Sequence, residues 1–379
     1  MENERRRRKF KGLGSGVCAI KPDYPAAKLD IKLILERVDA ATLAAVGKLK
    51  LRPPFEVIVV PDRQPRTKPK ALNYALAFAR GDYVCVYDAE DLPEPLQLRE
   101  ALRAMAAEPD RIGCVQSRLM IDNLAAGWLT RQFALEYLTL FDGILPVLAR
   151  WRVPIPLGGT SNHFPLRVLR QAGGWDAWNV TEDADLGMRL ARLGYRCTMI
   201  ASATFEEAPH QLGSWIRQRS RWLKGWMQTY LVHIRRPRRQ WQQLGPRGWF
   251  VFQAQLGGVI LSALLYPFCL AFLALRGILG QSLLPDGELA DRVLIGIALF
   301  NLMAGYGVAF VHTLVAALGR RRWGLLPDLI LLPAYWLLIS FAAYRALVQL
   351  ARDPFRWEKT EHGQSRREHA RRIGRSKAS

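Results

Sequence analysis

Tyr83-Val84-Cys85-Val86-Tyr87-Asp88-Ala89-Glu90-Asp91 is the stretch whose reading decides the class of fold. An apolar and aromatic run, bounded by Gly81-Asp82 and by Pro93, predicts a buried strand. Upstream, Ile31–Leu35 predicts a strand, Ala40–Val46 a short helix, Phe55–Val60 a strand and Pro69–Arg80 a helix. Alternation of this kind predicts an α/β domain built on a parallel, doubly wound sheet. Such sheets bind ligands beyond the C-terminal ends of their strands, where Asp88, Glu90 and Asp91 fall. Hard carboxylate oxygens at that edge suit Mg²⁺ or Mn²⁺ shared with a diphosphate.

Two further clusters follow in order. Thr181-Glu182-Asp183 offers an acid pair from which a general base can be drawn. In Gln218-Arg219-Ser220-Arg221-Trp222, the residues Gln218, Arg221 and Trp222 stand at i, i+3 and i+4, on one face of a helix. That face presents an amide, a guanidinium whose fork matches phosphate, and a flat ring suited to a sugar. Metal, base, phosphate clamp and stacking platform together describe transfer from a nucleotide diphosphate donor.

Asp88-x-Glu90, then Thr181-Glu182-Asp183, then Gln218-x-x-Arg221-Trp222, followed by apolar spans, resembles the processive-type family 2 glycosyltransferases, such as cellulose and hyaluronan synthases. Residues of about 29–230 carry the likeness in sequence, and the membrane half carries it by architecture. The resemblance implies a GT-A-type, Rossmann-like nucleotide-sugar-binding domain followed by transmembrane helices. It implies metal-dependent inverting transfer from a UDP-sugar to a growing glycan or other acceptor. Asp183 is then the base with Glu182 beside it, and Asp88, Glu90 and Asp91 form the metal set. Gln218 and Arg221 steady the leaving diphosphate, and Trp222 stacks on the acceptor.

The segment Pro69-Lys70-Ala71-Leu72-Asn73 is similar to a Lys-x-x-x-Leu-Asn-like element near the family's nucleotide, which implies diphosphate contact by Lys70 and nucleotide contact by Asn73. Lys68, Lys70 and Asn73 all stand near a helix start, where anions are favoured; a solvated first turn is the plainer alternative. Glu36 and Asp39 close the first strand, where the family places an acidic uracil contact, and the choice between them stays open. Gly158–His163 has small residues that let backbone approach a ligand, at the family's place for an acceptor floor. His163 belongs to that floor by position, although a satisfied core histidine fits its sequence equally. Phe355–Thr360, with Trp357, Lys359 and Thr360, resembles the loop that covers the donor site in cellulose synthases.

The net charge is +21, from 54 Lys+Arg against 33 Asp+Glu, with a pI near 10.2. Such an excess suits nucleic acid, an anionic membrane surface or an acidic substrate. Trp249–Leu275 and Val293–Leu318 carry no charged residue, and each exceeds the roughly 20 residues a helix needs to cross a bilayer. The basic excess therefore reads as membrane-surface charge, and nucleic acid drops out. Leu325–Leu350 is uncharged only from Leu329 to Tyr344, with Pro327 and Pro333 at its start. This predicts an interfacial or re-entrant helix in place of a third span. Arg320–Arg322 and the arginine-rich tail favour the cytoplasm.

The expected protein is multi-pass in a bacterial-type inner (plasma) membrane, with a cytoplasmic catalytic domain. Trp128–Trp151 and Trp215–Trp241 read as interface helices. Expected partners are a UDP-sugar, a glycan acceptor, the bilayer and secretion proteins. Cysteines 18, 85, 114, 197 and 269 show no paired metal spacing.

The chain divides into a basic leader (1–28), the GT-A-like domain with its interface helices (29–245), a membrane region (246–350), and a covering-loop-like segment with a basic tail (351–379). Residues 1–28 do not read as a strand–helix pair, so a nucleotide-binding half lacking its opening strand is expected, without the spans that usually precede it. A catalytically inactive, glycosyltransferase-like scaffold or glycan-binding module is the rival reading.

Overall fold

The computed structural model describes residues 22–281, 288–355 and 358. Strands β1 (Ile31–Glu36) and β2 (Phe55–Val60) pair in parallel, with Ile31 opposite Phe55 and Glu36 opposite Val60. Helix α1 (Ala40–Gly47) connects them, and Asp39 caps it by accepting from the Thr42 N–H at 3.0 Å. Helix α2 (Lys68–Leu76) follows, with Pro69 in its first turn. It stops short of the expected Arg80, because the Arg80 backbone and guanidinium bind Asp30 at 3.3 and 3.0 Å and turn the chain back toward β1.

The main sheet holds β3 (Tyr83–Val86), β4 (Leu92–Pro93), β5 (Ile112–Ile121), β6 (Asn162–Pro165) and β7 (Arg196–Glu206), in the order β3-β6-β5-β7-β4. Only β5 and β7 run parallel; the other neighbours are antiparallel. The expected all-parallel sheet is thus a mixed sheet beside a separate parallel pair. The strand–helix alternation upstream of Asp88 governs β1 and β2 alone. Strand β6, four residues long, inserts antiparallel between β3 and β5, and a segment that short carries no periodic signal. Helix α3 (Gln97–Ala107) seats Ala101 and Met105 against Ile112, Val115 and Ile200.

Helix α4 (Trp128–Tyr137) continues through a π-helical turn, Leu138–Ile144, into α5 (Leu145–Trp151). Helices α6 (Leu166–Gln171) and α7 (Glu182–Arg192) flank the sheet, and α8 (Leu212–Ile234) packs beside α7. Proline 237 opens a new helix, α9 (Pro237–Phe252), so the expected Trp215–Trp241 element is two helices. Helix α9 kinks at Gly245, whose φ of 67° lies in the left-handed region that glycine tolerates. A π-helical stretch, Gln253–Gly258, leads into α10 (Val259–Ile278); α11 (Leu289–Gly319), a 3₁₀ segment (Trp323–Leu331) and α12 (Leu332–Arg352) follow.

Among the described residues, four stretches are long and apolar enough to cross a bilayer. In Pro237–Ile278 and Leu289–Gly319, 6% and 12% of the apolar window is buried inside the protein, against 56% in Trp128–Trp151 and 39% in Trp323–Arg352. The first pair offers its apolar surface outward; the second pair spends much of it on the domain. Helix α12 lies along α8. The Tyr335 ring meets Trp215 edge-on at 5.3 Å, and the Pro354 carbonyl accepts from Gln228 Nε2 at 2.8 Å. Fully buried Ala342, Ala343 and Ala346 face inward on α12, and one core joins sheet, α4, α8 and α12.

Candidate functional site

The turn after β3 is built by Asp91. Its Oδ2 accepts from the Asp88 N–H at 3.0 Å and from the Thr160 hydroxyl, and the residue is 1% exposed. Burial, followed by repulsion from Asp88, pushes its carboxyl up to about 7. Asp91 therefore shapes the loop that carries Asp88 and Glu90. Asp88 and Glu90 remain partly exposed beside it.

Lys68 meets Asp88. Its ammonium donates to Asp88 Oδ1 and, at 2.7 Å, to the Gly159 carbonyl. Burial alone would lower this lysine, but Asp88, Glu182 and Asp183 raise it well above its ordinary value. Lys70 points elsewhere, to Glu36 Oε2 at 3.0 Å and the Pro61 carbonyl at 3.2 Å. The lysine among the acids is thus Lys68. It is the first residue of its helix, and its side chain reaches β3 across a 20-residue separation that no local spacing reveals.

Asn73 is engaged by backbone. Its side chain clamps Trp175, donating to the carbonyl at 2.6 Å and accepting from the N–H at 2.9 Å. Thr67 donates to the Ala177 carbonyl at 3.0 Å. Together they bolt α2 to the loop that runs into Thr181-Glu182-Asp183. Within that loop Asn179 accepts from the Thr181 N–H at 3.0 Å and donates to Thr229 of α8 at 2.9 Å.

Two glycines allow the close approaches. A Cβ on Gly159 would stand 3.1 Å from Asp183 Oδ2, and one on Gly225 would stand 2.3 Å from Thr181 Oγ1. Asp88, Lys68, Gly159 and Asp183 therefore form one continuous site, and α8 lies directly against the acid-bearing turn. Glu182 is buried, and burial followed by the Asp183 charge pushes its carboxyl up to about 8; burial also raises Asp183. Burial and the neighbouring Asp183 charge thus favour the protonated form of Glu182.

Arg221 faces the same acids. Burial lowers it, while Glu182, Asp183, Asp88 and Glu358 act in the opposite direction. Gln218 is 5% exposed, and its Oε1 has no hydrogen-bond partner among the described residues, so it keeps an acceptor in reserve. Trp222 is partly exposed, with the Arg219 guanidinium 4.7 Å from its ring centroid and Phe133 edge-on at 5.9 Å. Arg219 was not a candidate on sequence, yet it is the hub behind the motif. It is buried against Glu136 Oε1 at 2.5 Å, Tyr335 Oη at 3.1 Å and the Phe133 face at 4.2 Å. Asp185 likewise escaped notice; it joins Arg189 at 2.6 Å and His233 Nε2 at 3.0 Å, tying α7 to the end of α8.

The remaining candidates stand apart. Glu36 is spent on Lys70, and Asp39 is the α1 cap. His163 is 4% exposed on β6, with Nδ1 at 3.1 Å from the Val115 carbonyl and burial lowering it to about 4. It is a neutral core histidine. Trp357, Lys359 and Thr360 lie outside the described residues. The chain before them meets α8 through the Pro354 carbonyl, which accepts from Gln228, and the loop before α7 through Phe355, edge-on to Trp178 at 5.3 Å; Glu358 binds Arg345 by two contacts of 2.8 Å.

Asp88 and Glu90 are hard-oxygen donors, and the Lys68 ammonium on Asp88 shows that this position stabilises positive charge. Among the described residues no three His, Cys, Asp or Glu side chains cluster closely enough to enclose an ion unaided. The donor chemistry fits a divalent cation whose coordination is completed by phosphate oxygens.

Residues 83–348 match the family model described as Glycosyl transferase family group 2. The protein named "Probable glycosyltransferase YdaM" from Bacillus subtilis is 29% identical over 209 residues, covering 53% of this chain and 49% of its own, so the chain spans about half the length of that relative. A beta-monoglucosyldiacylglycerol synthase from Synechocystis is 25% identical over 358 residues, covering 90% of this chain and 70% of its own. In structure, the mannosyltransferase PcManGT from Pyrobaculum calidifontis, solved with GDP-Man and Mn²⁺, superposes with a TM-score of 0.56 at 20% identity, over 88% of this chain and 80% of its own. The fold is of the GT-A type, and the chain belongs to glycosyl transferase family group 2.

Proposed function

We propose that this family 2 glycosyltransferase transfers a sugar from a UDP-sugar, with inversion, to an acceptor hydroxyl at the membrane surface. The observation that carries the reading is the junction made by Lys68, which touches Asp88 and the Gly159 carbonyl while Gly159 lies against Asp183. Acids for a cation, a lysine for phosphate and a base for the acceptor thereby share one cleft.

Asp183, partly exposed, receives the proton of the attacking hydroxyl. Glu182, protonated beside it, adds no second negative charge to the cleft. Asp88 and Glu90 would hold Mg²⁺ or Mn²⁺, which when bound neutralises charge on a diphosphate. Lys68, Arg221 and the free Gln218 oxygen surround the donor's phosphate and ribose side, and Trp222 offers its ring to a sugar. The outward apolar surfaces of Pro237–Ile278 and Leu289–Gly319 support two spans. Helix α12 follows α8 and so stays on the catalytic side, which the basic segments assign to the cytoplasm of a bacterial-type inner membrane.

Purified protein in nanodiscs, assayed for UDP release with Mn²⁺, tests the reading. Asp183→Asn should reduce turnover at least about 100-fold, since a positioned base supplies roughly 10²–10⁴, while calorimetric UDP affinity stays within a few-fold. A variant keeping more than about a tenth of its activity removes Asp183 from the role. Turnover with GDP-sugars alone overturns the UDP assignment.

A further inference from the structure

We propose that the acceptor is a membrane lipid, and that its hydrocarbon chain lodges in a cavity between α4, the start of α8 and α12. The inference rests on the transferase reading above and specifies its acceptor. The cavity measures about 460 Å³, and Trp128, Leu129, Leu212, Ala334 and Leu338 line it together with His210. That volume lies in the range of small-molecule sites, roughly 300–1,000 Å³. His210 and Trp128 are the sole lining residues with polar side-chain atoms. A lining with so few polar side chains suits a hydrocarbon chain, which needs no hydrogen-bond partners, better than it suits a sugar.

The surroundings supply the chain. Ala334, Leu337, Leu338 and Phe341 stand at i, i+3, i+4 and i+7, so the cavity's wall on α12 continues along one helical face. Leu337 and Phe341 on that face are exposed at 43% and 56%, and Trp128 and Leu212 at the cavity are exposed at 43% and 48%. With α12 lying at the membrane interface, this exposed apolar stripe would face lipid, and it runs into the cavity. The distance fits as well. Leu212 begins α8, and Trp222 lies ten residues further on, about 15 Å along the helix. A lipid whose chain ends beside Leu212 can present its polar head at the Arg221–Trp222 turn.

The reaction balances without a further reagent. The lipid hydroxyl oxygen bonds to the anomeric carbon, the bond from that carbon to the nucleoside diphosphate breaks, Asp183 takes the hydroxyl proton, and the diphosphate leaves with the electron pair.

The test uses the full chain in nanodiscs containing a diacylglycerol with a diazirine in its acyl chain. Photolysis should label peptides holding Trp128–Leu129 and Ala334–Leu338, and excess unlabelled diacylglycerol should suppress that labelling at least fivefold. Adding a UDP-sugar should yield a glycosylated lipid. Ala334→Trp, which fills the cavity, should cut both labelling and lipid glycoside tenfold or more while UDP affinity is retained. Competition in the unsubstituted chain decides the matter even where Ala334→Trp does not fold. Labelling spread evenly over α10 and α11, or unaffected by competitor, overturns the proposal. So does equal transfer to a soluble oligosaccharide in lipid-free detergent. A chain that labels in the cavity yet releases no UDP with any acceptor instead overturns the transferase reading.

Discussion

At the residue scale, two lysines two positions apart have different work. Lys68 lies among Asp88, Glu182 and Asp183, while Lys70 is held by Glu36. Lys68→Gln should weaken nucleotide-sugar binding about tenfold or more, the order expected for a lost hydrogen bond to a charged group. Lys70→Gln should change it less than about threefold. Titration calorimetry on both variants makes the comparison, and equal losses would return the phosphate role to Lys70. The acid pair adds a pH signature. Glu182 is held at about 8 by burial and then by the Asp183 charge. Asp183→Asn removes that charge, so the Glu182 pKa should fall, as a carboxyl ¹³C titration would read. The folded-state value lies above the unfolded one. The stability Glu182 contributes is therefore fully present below the unfolded pKa of about 4.3 and is lost as pH rises through about 8. The melting temperature of the ligand-free protein should decline across that window, and the decline should be smaller in Glu182→Gln.

At the scale of elements, α8 is the part on which the site depends. Its Gly225 lies against Thr181, and its Arg219 is gripped by Glu136 of α4 and Tyr335 of α12. Gly225→Ala places a methyl 2.3 Å from Thr181 Oγ1, so something must shift. We expect about 1–3 kcal/mol of overpacking cost and a fall in turnover larger than the fall in UDP affinity, because the shift moves the acid-bearing turn. Unchanged melting and turnover would show that Thr181 can withdraw freely. Tyr335→Phe removes one hydroxyl that donates to Glu136 at 2.7 Å and accepts from Arg219 at 3.1 Å. A loss of roughly 1 kcal/mol is expected by thermal denaturation. Arg219→Lys should not restore the arrangement, since an ammonium cannot lie flat over both Phe133 and Trp222.

At the scale of the whole molecule, the long apolar helices and the GT-A domain share one core, so that α12 is fixed by its packing on the domain. A reporter fused after Arg352 should therefore read the same side as one inserted at Gly81. Opposite sides would mean that α12 crosses the membrane, and the contacts of Tyr335, Asp353 and Pro354 with α8 could not all hold.

The acid clusters, the helical Gln218–Arg221–Trp222 face and the two uncharged runs were legible in sequence. Each depends on neighbours within a few residues or on composition over a window, and local chemistry fixes both. Strand β2 matches its sequence boundaries for the same reason. The tertiary structure alone decided the mixed strand order, the placement of Lys68 among the acids and of Lys70 against Glu36, the hydrogen bonds of Asp91, Asn73 and His163, and the Arg219 hub. These turn on partners 20 to 116 positions away along the chain. A side chain's role there follows from which buried donor or acceptor it must satisfy, and folding, not spacing, brings that partner within reach.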